Sequence, residues 1–435
     1  MNIKELYTVF LSANGVSTDT RTLEAGQIFF ALRGENFDGN RFVSQALEQG
    51  ARMAVTDDNS LEKEEHVFIV DSALEALQAL ANYHRKQKDL TVLAITGSNG
   101  KTTTKELIAQ VLSSGYPTLY TEGNLNNHIG LPLTLLRLTE ERIAVIEMGA
   151  NHPGEIELLC KIAEPDLGII TNIGKAHLEG FGSFEGVKKA KGELYDYLAG
   201  EGKSILINSS DQLLVEMAES RGLKGVEYAL NTHAGVSGKI TATRPFLEGV
   251  ITIDGHEYSL STRMLGAYNF LNLLAAISAG IYFGIEVEDI LGRLADYSPG
   301  NNRSQIAEGK SNTLFLDAYN ANPSSMRASL EDFVAGEELM KMAILGEMLE
   351  LGNESEAEHS SLLNWLKGAG IQKVILIGEQ FVKMSEKGEY PFLFFHDVEE
   401  CMVYLSKHTP SGYRILLKGS RKNALEQATN LLLNC

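Results

Sequence analysis

The chain has 435 residues, 44% hydrophobic and 22% charged, which suits about three globular domains rather than one core. Its net charge of −19 is spread along the sequence, which argues against the clustered Lys and Arg that nucleic acids or anionic membranes require. The three cysteines form no CxxC pair, which indicates reduced thiols. Glu5 interrupts the first apolar run, so we predict no signal peptide and expect a cytoplasmic protein.

Residues 1–89 predict a small α/β domain. Short apolar runs at 27–32, 52–56 and 67–70 are typical of strands, and residues 74–84 have helical spacing.

Residues 90–304 predict a central domain in which buried strands alternate with helices. Strands are predicted at 91–96, 117–121, 142–148, 167–171 and 203–208. Helices are predicted at 102–113, 131–137 and 153–163. This alternation indicates a mostly parallel sheet with crossover helices.

Two segments of the central domain break that rhythm. Residues 225–262 contain short β-like pieces, which predict an insertion at the side of the domain. Residues 264–285 carry no charge and are long enough to span a bilayer, but Asn269 and Asn272 make insertion costly. A buried helix with a functional start is the better interpretation.

The turn-rich segment SPGNNRS (298–304) predicts a linker. Residues 305–435 follow it with a second strand–helix alternation, which predicts another doubly wound unit.

The segment GSNGKTT follows a buried strand and opens a helix, the context that phosphate binding requires. Its residues are Gly97, Ser98, Asn99, Gly100, Lys101, Thr102 and Thr103. Lys101 would reach the β- and γ-phosphates, and the Thr102 hydroxyl would bind Mg²⁺. Ile95 stands where a full Walker A motif has its first glycine, so a glycine-rich helix cap is the alternative.

Three further candidates are titratable side chains, two at or near strand ends and one on a helix pattern. Glu147 ends a buried strand, where a carboxylate faces the ligand crevice and could bind Mg²⁺, or could simply be solvated. His177 follows the next strand, although a lone histidine is more often structural. Lys191 lies near Lys188 and Lys189 on a helix pattern, and the residues alone do not favour it over them.

Polar turns supply the remaining candidates. Asn126 and Asn127 could cap a helix or bind a polar substrate. The segment DAYNANP (317–323) contains an Asx-Pro turn. The segment KGSR (418–421) follows the last strand, and it could capture a carboxylate or phosphate or be a plain basic turn.

Together these segments resemble the Mur ligases, the ATP-dependent amide-forming enzymes of peptidoglycan assembly. The resemblance covers almost the whole chain in order: STDTR (17–21), GQIFFALRGENFDG (26–39), TGSNGKTTTKE (96–106), GNLNNHIGLP (123–132), EMGA (147–150), TNIGKAHLEGFGS (171–183), AKGE (190–193), LGAYNFLN (265–272), DAYNANP (317–323), LGEMLELG (345–352) and KGSR (418–421). The segments NLNNHIG, YNANP and KGSR resemble the member that joins D-alanyl-D-alanine to a UDP-N-acetylmuramoyl tripeptide.

The resemblance implies an α/β fold of three domains and ATP with two Mg²⁺ ions as cofactors. The domains would be a UDP-substrate domain at 1–89, a central P-loop ATPase domain at 90–304 and a Rossmann-like domain at 305–435. Thr102 and Glu147 would hold one Mg²⁺, and His177 and a carbamylated Lys191 the other. Catalysis would rest on Lys101, Glu147, His177 and Lys191.

The resemblance also implies substrate contacts in each domain. ATP would contact Asn269, Asn272, Arg303 and Asp317 besides the phosphate loop. The UDP-peptide and the dipeptide would contact Thr20, Arg21, Asn126, Asn127, Asn320, Asn322, Lys418, Ser420 and Arg421. Tyr268 departs from the family pattern, in which a histidine commonly precedes the first of the two asparagines.

The expected reaction is therefore ATP-dependent ligation through an acyl phosphate in peptidoglycan precursor synthesis, by a protein that is a monomer and does not insert into membranes. One alternative is another amide ligase of the family, which adds a single amino acid or resembles folylpolyglutamate ligases. The other is a nucleotide-binding switch protein, which would need neither His177 nor the KGSR turn.

Overall fold

The structure is a computed structural model that describes residues 2–34, 37–61, 65–300, 303–336, 340–388 and 390–434. Part of the GENFDG segment, Asn301 and Asn302 of the linker, and Cys435 lie outside these ranges. The described residues form three α/β units, each with its own main sheet, as the sequence predicts.

The N-terminal unit contains a four-stranded parallel sheet. Its elements are α1 (Ile3–Phe10), β1 (Val16–Ser17), β2 (Ile28–Phe30), β3 (Arg33–Gly34), β4 (Phe37–Asp38), α2 (Val43–Glu48), β5 (Met53–Thr56), β6 (Val67–Ile69) and α3 (Ala73–Lys86). The sheet has the order β1-β2-β5-β6, and β3 and β4 form a separate antiparallel pair. Helix α1 was not predicted, although its buried Leu6 and Phe10 have helical spacing.

The central unit alternates strands and helices from Thr91 onwards. Its elements are β7 (Thr91–Thr96), α4 (Lys101–Leu112), β8 (Thr118–Tyr120), α5 (Gly130–Leu135), β9 (Ile143–Glu147), α6 (Glu155–Ala163), β10 (Leu167–Ile170), α7 (Leu178–Phe181), α8 (Phe184–Gly200), β11 (Ser204–Asn208), α9 (Gln212–Glu219), β12 (Gly225–Leu230), β13 (Val236–Ala242), β14 (Glu248–Ile253), β15 (His256–Ser261), α10 (Asn269–Tyr282) and α11 (Val287–Asp296).

These strands form one nine-stranded sheet of order β15-β14-β13-β12-β11-β10-β7-β9-β8. The strands from β8 to β13 pair in parallel, and β14 and β15 are antiparallel to their neighbours. Residues 225–262 therefore extend the central sheet at one edge, whereas the sequence suggested a lateral insertion. Strand β7 lies in the interior, which explains its wholly apolar core run.

The C-terminal unit holds a six-stranded sheet. Its elements are β16 (Gln305–Glu308), β17 (Thr313–Asp317), α12 (Pro323–Val334), β18 (Lys341–Gly346), α13 (Ser355–Leu366), β19 (Lys373–Ile377), α14 (Glu379–Ser385), β20 (Leu393–Phe395), α15 (Val398–Lys407), β21 (Arg414–Lys418) and α16 (Thr429–Leu433). The order is β16-β17-β21-β18-β19-β20, with only the edge strand β16 antiparallel among these described strands. The doubly wound unit is thus as predicted, apart from β16.

Helix α3 joins the N-terminal unit to the central unit. Gln78 donates to the His128 carbonyl at 2.9 Å, and Asn82 donates to the Ile162 carbonyl at 3.0 Å. Arg85 donates to the Ala163 carbonyl at 3.0 Å and pairs with Asp166 at 2.9 Å. One helix therefore packs against both units along its length.

Two further features are the hydropathy of the helices and the state of the cysteines. Across the described ranges, no helix has both the length and the apolar character needed to cross a bilayer. Cys160 and Cys401 are buried free thiols.

Candidate active site

The phosphate loop lies between β7 and α4, where two glycines have backbone conformations that other residues rarely adopt. Gly97 has φ 141°, and a Cβ there would lie 2.0 Å from the Thr171 hydroxyl oxygen. Gly100 has φ 78°, and a Cβ there would lie 2.8 Å from Oδ1 of Asn272. The loop therefore has glycine where backbone must pass close to neighbours, and the first-turn N–H groups of α4 remain available for an anion.

The segment after β10 braces this loop. The Thr171 hydroxyl donates to the Asn99 carbonyl at 2.6 Å, and the Asn172 amide donates to the same carbonyl at 3.0 Å. The Ser98 hydroxyl accepts the Gly174 N–H at 2.9 Å. Sequence reasoning selected only His177 from this segment, although Thr171 and Asn172 have the same signal, a position directly after a buried strand.

Lys101 is folded back over its own loop. Its Nζ donates to the carbonyls of Gly97 at 2.6 Å and Ser98 at 3.2 Å. Burial lowers the pKa of Lys101, an effect that nearby Glu147 opposes and nearby Arg303 reinforces. The ammonium thus lies among charged groups at the mouth of the loop.

Glu147 supplies a carboxylate with one unsatisfied oxygen. Its side chain is only 2% exposed, and Oε1 accepts from the Asn126 amide at 2.7 Å. Its Oε2 is buried and has no hydrogen-bond partner in the described part of the chain. A buried carboxylate oxygen without a partner is costly, so a cation bound there would stabilise it.

This arrangement fits Mg²⁺ only together with a phosphate ligand. Within the described ranges, no three His, Cys, Asp or Glu side chains cluster closely enough to hold a metal by themselves. Thr102 and Glu147 line the same cleft, and Mg²⁺ commonly takes few protein oxygens beside substrate phosphates and water. The oxygen donors present therefore suit a magnesium–nucleotide complex.

His177 and Lys191 both lie near the Phe181 ring. His177 has a left-handed backbone with φ 51°, lines the cleft, and pairs through Nδ1 with the Glu350 carboxylate. This contact lowers the pKa of Glu350. Lys191 lies 5.1 Å from the Phe181 ring centroid, and the His177 ring is 6.4 Å from that centroid.

Lys191 is buried beneath the cleft and does not line it. Its Nζ donates to the Ala150 carbonyl at 3.3 Å. Burial, with a contribution from Lys101, lowers the pKa of Lys191 to about 7. A substantial fraction of this amine is therefore neutral at neutral pH. The sequence pattern alone did not distinguish Lys191 from Lys188 or Lys189.

Asn269 and Asn272 lie in the first turn of α10, which packs against α4. Asn272 accepts from the Thr104 hydroxyl at 3.1 Å and donates to Oδ1 of Asn269 at 2.8 Å. Asn269 in turn donates to the Ser304 hydroxyl at 3.1 Å. The hydroxyls of Tyr268 and Ser304 are hydrogen-bonded to each other at 3.0 Å. The uncharged segment is therefore a buried helix whose polar start faces the cleft, as predicted.

The C-terminal unit closes the other side of the cleft. Asp317 and Lys418 end neighbouring parallel strands and pair at 2.6 Å. Asn322 caps α12 through Oδ1 and donates from Nδ2 to Oδ1 of Asn99 at 2.8 Å. The Arg303 guanidinium carbon lies 3.6 Å from the centroid of the Tyr319 ring.

These parts enclose a cleft of about 490 Å³. The predicted site residues that line it are Ser98, Asn99, Gly100, Lys101, Thr102, Thr103, Asn126, Glu147, His177, Asn269, Asn272, Arg303, Asp317, Asn320, Asn322 and Lys418. The sequence therefore predicted most of a lining that comes from both the central and the C-terminal unit. Tyr319, Ser304 and Asn172 line the cleft as well and were not predicted as site residues.

Several predicted site residues lie elsewhere. Thr20 and Arg21 are in the N-terminal unit, where the Arg21 side chain is 87% exposed and pairs with Asp19. Asn127 accepts the Gly130 N–H at 2.8 Å at the start of α5. Ser420 is buried and donates to the Glu347 carbonyl at 2.9 Å, and Arg421 is exposed beside it.

Three family models match successive parts of the chain. They are the Mur ligase family catalytic domain at residues 12–85, the Mur ligase middle domain at residues 95–280, and the Mur ligase glutamate ligase domain at residues 302–421. The matches follow the order of the three units.

Relatives and solved structures agree with these models. The UDP-N-acetylmuramoyl-tripeptide–D-alanyl-D-alanine ligase of Bacillus subtilis is 38% identical, over 97% of this chain and 93% of the relative. The Escherichia coli ligase of the same name is 36% identical, over 98% and 95%. A crystal structure of MurF from Acinetobacter baumannii has a TM-score of 0.87 at 30% identity, covering 98% of this chain and 97% of that one.

A structure of MurF ligase from Thermotoga maritima in complex with ADP has a TM-score of 0.86 at 26% identity, with 97% of each chain covered. The phosphate loop and cleft described above thus belong to a fold that binds adenine nucleotide in a solved relative. On this evidence, the chain belongs to the Mur ligase family.

Proposed function

We propose that this protein is the ATP-dependent ligase that joins D-alanyl-D-alanine to a UDP-N-acetylmuramoyl tripeptide. The observation that carries the proposal is the single cleft in which the phosphate loop and Glu147 face Asn320, Asn322 and Lys418 of the C-terminal unit. Backbone N–H groups that can bind phosphate lie on one wall, and side-chain amides and an ammonium group lie on the other. This arrangement suits a nucleotide and a carboxylate-bearing acceptor.

In the first step, an oxygen of the tripeptide's terminal carboxylate attacks the γ-phosphorus of ATP. The bond from that phosphorus to the bridging oxygen breaks, and ADP leaves. In the second step, the amine of D-alanyl-D-alanine attacks the acyl carbon, the C–N bond forms, phosphate leaves, and the nitrogen loses a proton. Lys101 and the loop N–H groups stabilise the charge on the transferring phosphoryl group.

We further propose that Thr102 and Glu147 hold one Mg²⁺, and that His177 and Lys191, as a carbamate, hold a second. When bound, Mg²⁺ would neutralise phosphate charge and orient the phosphoryl group. The lowered pKa of Lys191 supports carbamylation, because the neutral amine is the form that attacks CO₂. That attack forms an N–C bond, releases a proton, and converts a cation into an oxygen ligand.

Each unit is given one task in this proposal. Residues 1–89, including Thr20 and Arg21, hold the UDP end of the substrate, and residues 90–304 bind and activate ATP. ATP also contacts Arg303, at the end of the central range, and Asp317 of residues 305–435. Asn126 and Asn127 face the tripeptide, whereas the dipeptide contacts are Asn320, Asn322, Lys418, Ser420 and Arg421. The protein acts as a monomer in the cytoplasm.

The test is phosphate release from ATP with purified protein, UDP-N-acetylmuramoyl tripeptide and D-alanyl-D-alanine. Release is expected only when both co-substrates are present, with a product heavier by the dipeptide minus water. A panel of single amino acids and glutamate as acceptors is the matched comparison. Equal release with a single amino acid would assign the protein to another ligase of the family, and release without any acceptor would contradict ligation.

A further inference from the structure

Tyr319 supports the Arg303 guanidinium inside the cleft. The guanidinium carbon of Arg303 lies 3.6 Å from the Tyr319 ring centroid, and that of Arg421 lies 5.6 Å from it. A cation over an aromatic face within about 6 Å is attracted by the ring quadrupole. The contact joins the segment before β16 to the turn after β17, which lie on either side of an antiparallel hairpin.

Among the described residues, Arg303 has neither an anionic partner nor a hydrogen-bond acceptor for its guanidinium group. Its Nε is buried without a hydrogen-bond partner, and none of the described carboxylates pairs with it. Stacking occupies the flat face of the guanidinium, whereas its N–H donors point outward in the plane. A carboxylate in the same place would have neutralised the cation and occupied those donors.

The surroundings call for an anion at this position. Arg303 and Lys101 both line the cleft, and the charge of Arg303 helps to lower the pKa of Lys101. Two cations that repel each other are both stabilised once a polyanion lies between them, because each is attracted to it. A di- or triphosphate chain has that charge and can accept two parallel hydrogen bonds from one guanidinium.

We propose that Tyr319 is a positioning residue, which holds the Arg303 guanidinium through the face of its ring so that the N–H edge meets the nucleotide phosphates. The ring face is what this role requires, since no hydrogen bond of the Tyr319 hydroxyl is found among the described residues. The inference rests on ATP use in the proposed function, and it concerns a residue outside the predicted site.

The test is a double-mutant cycle on ADP binding, measured by calorimetry without tripeptide or dipeptide. Tyr319→Leu is expected to weaken ADP binding about 3- to 30-fold, the range of cation–π contacts, while Tyr319→Phe stays within about twofold of wild type. In an Arg303→Ala background, Tyr319→Leu is expected to cost less than about twofold, because the group that Tyr319 holds is already gone. AMP, which lacks the β-phosphate, should show a smaller loss than ADP.

Steady-state rates give a second reading. In Tyr319→Leu the KM for ATP should rise while the KM for D-alanyl-D-alanine stays unchanged, and Tyr319→Phe should restore the wild-type value. Thermal melting checks folding, and Tyr319→Met replaces the leucine variant if that one melts below the assay temperature.

The assignment is overturned if Tyr319→Leu binds ADP like wild type, or if it loses the same affinity with and without Arg303. A wild-type protein that fails to use D-alanyl-D-alanine would instead refute the proposed acceptor, and the ADP cycle would still decide the role of Tyr319.

Discussion

Asn322 and Asn99 join the C-terminal unit to the phosphate loop, with Nδ2 of Asn322 lying 2.8 Å from Oδ1 of Asn99. Asn99 is in turn held from behind by Thr171 and Asn172 through its carbonyl. One side chain of the phosphate loop is therefore hydrogen-bonded directly to the C-terminal unit.

This bridge predicts that Asn322→Ser weakens catalysis without weakening α12. Serine can keep the cap that Asn322 provides to the Ser325 N–H, but it is too short to reach Asn99. Loss of one hydrogen bond should lower kcat/KM for ATP about 2- to 10-fold. Melting temperature is the control, and a matched Asn99→Ala variant should show the same loss. An unchanged kcat/KM in both would contradict the role of the bridge.

Glu147→Gln should separate activity from stability. The substitution keeps an oxygen for the Asn126 amide and removes the charge from the unpaired Oε2. Turnover is expected to fall at least about 100-fold, as when one preorganised electrostatic group is lost. The free energy of unfolding should not fall, because an unpaired buried charge is a cost to the folded state that the substitution removes.

The exposed carboxylate Glu122 offers the matched control for that variant. Glu122→Gln should leave turnover unaltered, since its partner is the surface residue Arg137. The magnesium concentration that gives half of the maximal rate should rise in Glu147→Gln and stay unchanged in Glu122→Gln. Full activity in Glu147→Gln would remove this residue from the proposed metal site.

Lys191 should make recovery from CO₂ depletion depend on pH. Its pKa is lowered to about 7, so the amine is mostly charged at pH 6 and mostly neutral at pH 8. After degassing, bicarbonate should restore activity faster as pH rises through about 7. Lys191→Ala should be inactive and unresponsive to bicarbonate, and Lys189→Ala, on the exposed side of α8, should behave like wild type. Bicarbonate-independent activity at every pH would rule out a carbamate.

His359 should make the C-terminal unit less stable in mild acid. The ring is buried between α13 and the turn after β18, with Nε2 accepting the Met348 N–H at 3.0 Å and Nδ1 contacting the Ser355 carbonyl at 2.7 Å. Burial lowers the pKa of His359, so the folded protein favours the neutral ring. The stability it contributes is complete above about pH 6.5, the ordinary pKa of histidine, and is lost as pH falls below that value through the lowered pKa of the folded state.

The measurement is the melting temperature of wild type and His359→Gln from pH 8 to pH 5. The difference between the two should be largest at high pH and shrink towards pH 5. Using the difference cancels the contribution of His84, another buried histidine whose pKa is lowered. A difference that grows with acidity would reverse the sign and contradict the argument.

Sequence patterns predicted the strands that are buried on both faces, because such strands leave continuous apolar runs. TVLAIT is the clearest example, since it coincides with β7. The two-residue β1 and the edge strand β16 were missed because they are too short or too polar to leave a pattern. Residues 225–262 were placed beside the domain because local sequence does not reveal which edge of a sheet a hairpin will join.

The site was predicted best where chemistry and position coincide. Glu147 is a carboxylate at a strand end, and both facts are visible in the sequence. The burial of Lys191 was not visible, because lysine at a helical spacing normally indicates a solvated face. Ser420 and Asn127 have the polar character of ligands, but their side chains already form hydrogen bonds within the protein. Asn127 accepts from the Gly130 N–H at the start of α5, and Ser420 donates to the Glu347 carbonyl in the turn after β18.

Helix α3 has a consequence for how the chain divides. Its amide and guanidinium side chains occupy main-chain carbonyls of α6 and of the segment before α5, so those carbonyls would lose partners without it. A polypeptide that begins after residue 89 would expose them to solvent together with the apolar faces that α3 covers. The first 89 residues and the central sheet are thus expected to melt as one cooperative body, although each has a sheet of its own. For recombinant work, the first 89 residues and the central unit should therefore be kept in one fragment.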